Sequence, residues 1–199
     1  MELLLTLALF WIMTDTAYAL FPPEYRNVAL KGRATQSSVF YNFDIGYLSL
    51  AINAIDGNLN SNFGFGSCSS TNNDESAWWR VDLHEPHVIS HVTITNRGDC
   101  CGELVNGGLL LIGNSLQNDG NNNPMCAQIS GMSNGSTQTF QCTGILGQYV
   151  NIILPHKSKY LQLCEVQVFG IPLSQLPVSS FHHLLSPSLS SSSTNTTIN

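Results

Sequence analysis

Positive charge is scarce in this chain. Its 199 residues hold 7 Lys and Arg against 13 Asp and Glu, and charged residues of both signs make up only 10% of the total. The few cations are scattered rather than gathered into a stripe, which excludes the phosphate-tracking surface of a nucleic-acid binder. Apolar runs long enough to cross a bilayer are also missing, so no membrane span is expected. No two cysteines stand at the C-x2-4-C spacing of a zinc site. Helical periodicity is almost absent, and no internal repeat is visible. The acids are dispersed and give no general acid/base pair. No Ser or Cys nucleophile lies next to the cluster of His84, His87 and His91, which reads instead as surface and turn residues. The chain is therefore not expected to be an enzyme.

What is present begins with an apolar stretch over residues 3–13, too short for a span. Ala17-Tyr18-Ala19 follows with the small-x-small pattern of a cleavage site. Residues 1–19 are thus expected to be a signal peptide and residues 20–26 a linker, with the protein secreted to the extracellular space. Secretion makes the six cysteines, Cys68, Cys100, Cys101, Cys126, Cys142 and Cys164, readable as an oxidised framework. An even count suits three bridges, but spacing alone does not choose among the pairings. The far end, residues 172–199, is rich in Ser, Thr and Pro with little to bury, and is expected to be a disordered tail. Two N-glycosylation sequons occur, Asn134-Gly135-Ser136 and Asn195-Thr196-Thr197.

Between these ends, residues 27–171 carry strand patterning. Trp78-Trp79-Arg80-Val81-Asp82-Leu83 and Val92-Thr93-Ile94-Thr95 alternate β-branched and polar residues, with Glu85-Pro86 read as the turn between them. Residues 107–113 form an apolar run bounded by Gly. Residues 138–142, 149–154 and 161–168 supply further strands. Many short strands joined by Asn- and Gly-rich loops predict an all-β, antiparallel β-sandwich held by disulfides.

Two constellations carry chemistry. Cys100 and Cys101 are adjacent, and their Cα atoms can be only about 3.8 Å apart across a trans peptide. A bond between them closes a small strained ring of the kind that persists where it serves a site. Arg97 and Asp99 flank it, in a turn that Gly98 and Gly102 make permissive. Arg97-Gly98-Asp99 also spells a short adhesion tripeptide. The second constellation, Asn53-Ala54-Ile55-Asp56-Gly57-Asn58, is a dense oxygen-donor turn. It suits either an Asx turn or part of a calcium loop.

Five ordered blocks resemble the F-type lectins, or fucolectins. They are Asn27-Val28-Ala29-Leu30-Lys31-Gly32-Arg33-Ala34-Thr35-Gln36-Ser37-Ser38, Asn53–Asn58, Trp78–Leu83, Thr95–Glu103 and Leu163-Cys164-Glu165-Val166. The resemblance covers nearly all of residues 27–170. It implies a β-jelly-roll similar to discoidin and galactose-binding domains. It implies three disulfides, Cys68–Cys164, Cys100–Cys101 and Cys126–Cys142. It implies a structural Ca2+ held by Asn53, Asp56, Asn58, Ser67, the Cys164 carbonyl and Glu165. It further implies a carbohydrate site in which Arg97 and Asp99 meet the sugar hydroxyls and the Cys100–Cys101 ring packs on the sugar's apolar edge. The family's His position holds Ser70 here, and its second basic position holds Leu104. Asn72, Asn73 and Asn106 are candidate replacements for those donors. The expected function is a secreted, calcium-stabilised lectin-like module for fucose or another glycan on cell or microbial surfaces, with trimers as the expected route to avidity. The alternatives are a scaffold that has lost sugar binding and serves as a structural or protein-interaction domain, and an adhesion ligand working through Arg97-Gly98-Asp99.

Overall fold

Alternation of apolar and polar residues builds the strands as the pattern predicts. The computed structural model describes residues 24–156 and 158–176. The expected signal peptide and most of the expected tail, from residue 177 on, lie outside the described residues. Thirteen strands follow in order: β1 (Arg26–Asn27), β2 (Arg33–Gln36), β3 (Tyr41–Asn42), β4 (Tyr47–Leu48), β5 (Ser69–Ser70), β6 (Asp74–Glu75), β7 (Trp78–Thr95), β8 (Leu109–Gly113), β9 (Met125–Gln128), β10 (Thr137–Ile153), β11 (Ser158–Lys159), β12 (Gln162–Leu163) and β13 (Glu165–Pro172). Only short 3-10 turns interrupt them among the described residues.

The main sheet has seven strands in the order β1-β13-β7-β10-β8-β9, with β2 also paired to β7, and every pairing is antiparallel. β7 and β10 are its long central members. The first half of β7 pairs with β2 and the end of β10, while its second half pairs with β13 and the start of β10. Residues 83–86 of β7 have no ladder partner, and β10 shifts register between Gln141 and Ile145. At Ser90, which both neighbouring ladders skip, the inward side of β7 changes from odd positions (Trp79, Val81, Leu83, Ile89) to even ones (Val92, Ile94).

The core follows from that arrangement. Trp79, Val81, Ile89, Val92 and Ile94 of β7 pack with Leu110 and Ile112 of β8, Val150 and Ile152 of β10, and Val166 and Val168 of β13. Each such buried side chain contributes roughly 1.5–3 kcal/mol of transfer free energy. The indole N–H of Trp79 donates to the Ala51 carbonyl at 3.0 Å, so its burial leaves no orphan donor. Residues Glu24–Ser174 pack as one compact unit.

Three details differ from the sequence expectation. Glu85-Pro86 does not reverse the chain, because β7 runs through it. Pro86 sits where β7 has no partner, so its missing N–H costs no ladder bond. Residues 138–142 and 149–153 belong to one strand, β10, which ends one residue before Leu154. The run 161–168 breaks at Cys164 into β12 and β13. The histidines also separate. His84 is exposed in the left-handed region (φ 70°), His87 is buried, and His91 stacks on Phe169 at 4.4 Å.

Candidate functional site

The loop after β7 takes its shape from its neighbours. Cys100 and Cys101 are bonded to each other, and Cys101 adopts a left-handed backbone (φ 62°) that non-glycine residues rarely hold. The strain is held by bracing on both sides. The Asn96 side-chain amide donates to the carbonyls of Gly102 (2.7 Å) and Ser133 (3.0 Å), and the Gly102 N–H donates to Asn134 Oδ1 at 2.7 Å. A Cβ at Gly102 would lie 2.7 Å from Asn134, so only glycine allows this approach.

Arg97 and Asp99 form an ion pair beside the ring. Arg97 Nη2 lies 2.6 Å from Asp99 Oδ2, and Arg97 Nε donates to both carboxylate oxygens. Asp99 Oδ1 also accepts the Phe63 N–H at 2.8 Å, and the guanidinium carbon stands 4.3 Å over the Phe63 ring. The Arg97 hydrogen bond holds the Asp99 carboxyl below its ordinary range, with the Phe63 N–H adding to the effect, so it is ionised at neutral pH. Fixed donors and acceptors on a small polarisable ring can meet a ligand that has hydroxyls on one side and C–H groups on the other. The two charges of the Arg97-Gly98-Asp99 tripeptide thus face each other rather than standing as separate displayed charges.

A second polar region lies where Cys68–Cys164 clamps the loop before β5 to the start of β13. That bridge closes 96 residues of chain, which removes roughly 4–5 kcal/mol of unfolded-state entropy in the loop-closure account. The loop is a ladder of Asx turns. Asp56, Asn58, Asn60 and Asn62 each accept, through a side-chain oxygen, the N–H two residues on. Glu165 reaches toward it from β13. Glu165 is fully buried, and neither carboxylate oxygen has a hydrogen-bond partner. Burial, then the charge of Asp56, push its carboxyl up to about 7, partly offset by the nearby Gly57 N–H.

The other expected calcium ligands are close by in the chain path. Asn53 directs its NH2 to the Tyr47 hydroxyl and the Cys68 carbonyl, which leaves its own oxygen as an acceptor. Ser67 is buried and donates to the Asn60 carbonyl at 2.5 Å. Asn58 is exposed, with its oxygen already accepting the Asn60 N–H, and Cys164 is buried at the clamp. Among the described residues no three His, Cys, Asp or Glu side chains gather into a metal cluster. The donor set is two carboxylates with amide, hydroxyl and carbonyl oxygens, which suits a hard cation such as Ca2+. An orphaned buried carboxylate facing a second carboxylate fits such an ion.

Ser70 and Leu104 stand differently from Arg97 and Asp99. Ser70 lies in β5, fully buried, and its hydroxyl donates to the Thr71 carbonyl at 3.0 Å. Leu104 is half-buried in the 3-10 turn Gly102–Val105 that follows the cysteine pair.

A family model described as a NedA-like, galactose-binding domain matches residues 53–152. Fucolectin-5 of Anguilla japonica is 50% identical over 165 residues, covering 81% of this chain and 85% of that one. The chain belongs to the fucolectin family. Among solved structures, a fucolectin from the serum of striped bass, Morone saxatilis, is 46% identical with a TM-score of 0.71. The match covers 75% of this chain and half of that one. A Streptococcus pneumoniae fucose-binding module aligns at 27% identity and TM-score 0.60, over 71% of this chain and 96% of that chain.

The three disulfides that the resemblance implied are the three observed, Cys68–Cys164, Cys100–Cys101 and Cys126–Cys142. The structure brings Arg97, Asp99, Cys100 and Cys101 into one loop and Asp56 beside Glu165. Ser70 is a buried strand residue, with its hydroxyl turned to the Thr71 carbonyl. Of the candidate replacement donors, Asn106 is bound at both ends of its amide to the Met132 backbone, whereas Asn72 and Asn73 are exposed. Phe63 was missed from the sequence. It is the pedestal of the Arg97–Asp99 pair, and the sequence does not set it apart from Phe65 two residues on.

Proposed function

We propose that this chain is a secreted lectin that holds a glycan against the Cys100–Cys101 ring. Arg97 donates to sugar hydroxyls, Asp99 accepts from them, and the ring takes the apolar edge of the sugar. The observation that carries this reading is the Arg97–Asp99 pair, fixed by the Phe63 N–H and ring beside a braced vicinal disulfide. Family membership supports it, as does the likeness to a module described as fucose-binding. It is a binding function, with no chemical conversion of the sugar.

In the same proposal Ca2+ has a structural part. Glu165, Asp56, Asn53, Asn58, Ser67 and the Cys164 carbonyl would hold it, and it would neutralise two carboxylates. Residues 1–19 act as the signal, 20–26 as a linker, 27–171 as the lectin domain and 172–199 as a tail. The partners are cell-surface or microbial glycans, reached with avidity through self-association, of which a trimer is one form. Among the described residues no helix is long and apolar enough to cross a membrane.

A second reading, a scaffold without sugar binding, is favoured by one observation: an apolar Leu104 and a buried Ser70 stand where the family's imidazole and second basic donor would be. Each charge-assisted hydrogen bond is worth about 1.5–3 kcal/mol, enough for two absences to matter at a weak site. A glycan array probed with folded protein in calcium separates the readings. Binding to any glycan subset supports the first, and blank arrays support the second. In the blank case, Ser70→His with Leu104→Arg creates fucose binding if the rest of the pocket is intact.

A further inference from the structure

The sequon Asn134-Gly135-Ser136 forms the turn just before β10. Asn134 is exposed, and Gly135 takes a left-handed backbone (φ 67°). The side-chain oxygen of Asn134 accepts the Gly102 N–H at 2.7 Å, which assigns the amide orientation, because an NH2 group cannot accept from an N–H. No other atom of that side chain has a partner among the described residues. The amide nitrogen is therefore unengaged while the oxygen is fixed. Attachment of a glycan to the nitrogen leaves the bond to Gly102 intact.

The turn is also joined to the candidate site at two points. Gly102 directly follows Cys101, and the Gly135 N–H donates to the Arg97 carbonyl at 2.9 Å. A group rooted at Asn134 thus stands at the rim of the Arg97–Cys101 loop.

We infer that Asn134 is an N-glycosylation site whose glycan shields the Cys100–Cys101 ring from protein-sized reductants. This rests on the proposed secretion of the chain. In the transfer, Asn134 Nδ2 bonds to C1 of the sugar, and the C1–O bond to a polyprenyl diphosphate carrier breaks. The amide gives up one proton and the carrier leaves as the diphosphate. The product is bulky and hydrophilic, and it stands on an exposed turn where it costs no packing.

The test uses the full chain expressed in animal cells, with Asn195→Gln to remove the second sequon. Tryptic peptides are mapped by mass spectrometry before and after peptide N-glycosidase, which turns a glycosylated Asn into Asp. The expected result is a glycan at Asn134 that survives Ser136→Thr and vanishes in Ser136→Ala. Ser136→Ala also removes the hydroxyl that bonds the Ser133 N–H and carbonyl, so an unchanged melting midpoint in Ser136→Ala, with Ser136→Thr keeping both hydroxyl and sequon, separates loss of the sequon from loss of the turn. Shielding is read without any sugar ligand, as the rate of reduction and alkylation of Cys100 and Cys101. Removing the glycan is expected to speed reduction by a thioredoxin-sized protein severalfold and to leave reduction by a small thiol unchanged. A secreted chain with unmodified Asn134 overturns the site and leaves secretion standing, whereas a chain retained in the cytosol overturns both. A glycan whose removal changes neither rate overturns the shielding.

Discussion

The two polar loops handle charge in opposite ways. In the loop clamped by Cys68–Cys164, the charge is buried and unpaired, since Glu165 is fully enclosed with both oxygens orphaned and Asp56 facing it. In the loop after β7, the charges are partly exposed and paired, Arg97 with Asp99 at 2.6 Å. An unpaired buried carboxylate is costly and must be neutralised by a proton or a cation. A partly exposed ion pair contributes modestly to stability but is fixed in position. In the proposed reading the first loop serves stability and the second recognition. Removing parts from each should show the difference.

The largest expected effect is chelation. An ion held at about a hundred times its dissociation constant stabilises the fold by roughly 2.7 kcal/mol. For a domain of this size, that lowers the melting midpoint by roughly 5–10 °C when Ca2+ is removed. Differential scanning calorimetry with calcium and with chelator measures it, and an unchanged midpoint removes the first loop's proposed role.

Glu165→Gln sharpens the same contrast. It exchanges a buried carboxyl for a neutral amide of like shape, so the melting midpoint should stop responding to calcium. The chelated variant should melt no lower than the chelated parent. A calcium response that persists in the variant would place the ion elsewhere.

Arg97→Ala is expected to cost about 1 kcal/mol of stability or less, as partly exposed pairs do, while abolishing glycan binding. Melting and array binding measured on one preparation separate the two effects. A large fall in the midpoint would make the second loop structural after all.

The smallest effect concerns pH. Asp99 has a folded-state pKa below its unfolded value, chiefly because Arg97 donates to it. Its stabilising contribution is therefore present above the unfolded value and lost as pH falls through the folded one. In calcium, the stability difference between the parent and Asp99→Asn should persist through the ordinary carboxylate range near pH 4 and shrink only below it. A difference that vanishes at higher pH would mean that the pair is not formed in solution.

How much of this was legible beforehand depended on locality. The strands were readable because alternation of β-branched and polar residues is a local signal, as in Val92-Thr93-Ile94-Thr95. Glu85-Pro86 misled because a proline is tolerated wherever a strand lacks partners, and partners are a property of the whole sheet. The disulfide pairing was not in the spacing and came from the family blocks. The burial of Ser70 depends on the pairing of β5 with β12, between segments about ninety residues apart. Phe63 supports Arg97 and Asp99 across 36 residues of chain, a separation that no periodicity reports. The orphaned state of Glu165 was likewise invisible, because a Glu in an alternating strand ordinarily reads as solvent-facing.

The most direct test of the account is a glycan array run in calcium with the folded parent chain and Arg97→Ala side by side. The account predicts a signal from the parent on a defined glycan subset and none from the variant, with the variant's melting midpoint lower by no more than roughly 2–4 °C. A blank array from the folded parent, or a signal that Arg97→Ala leaves intact, would contradict it.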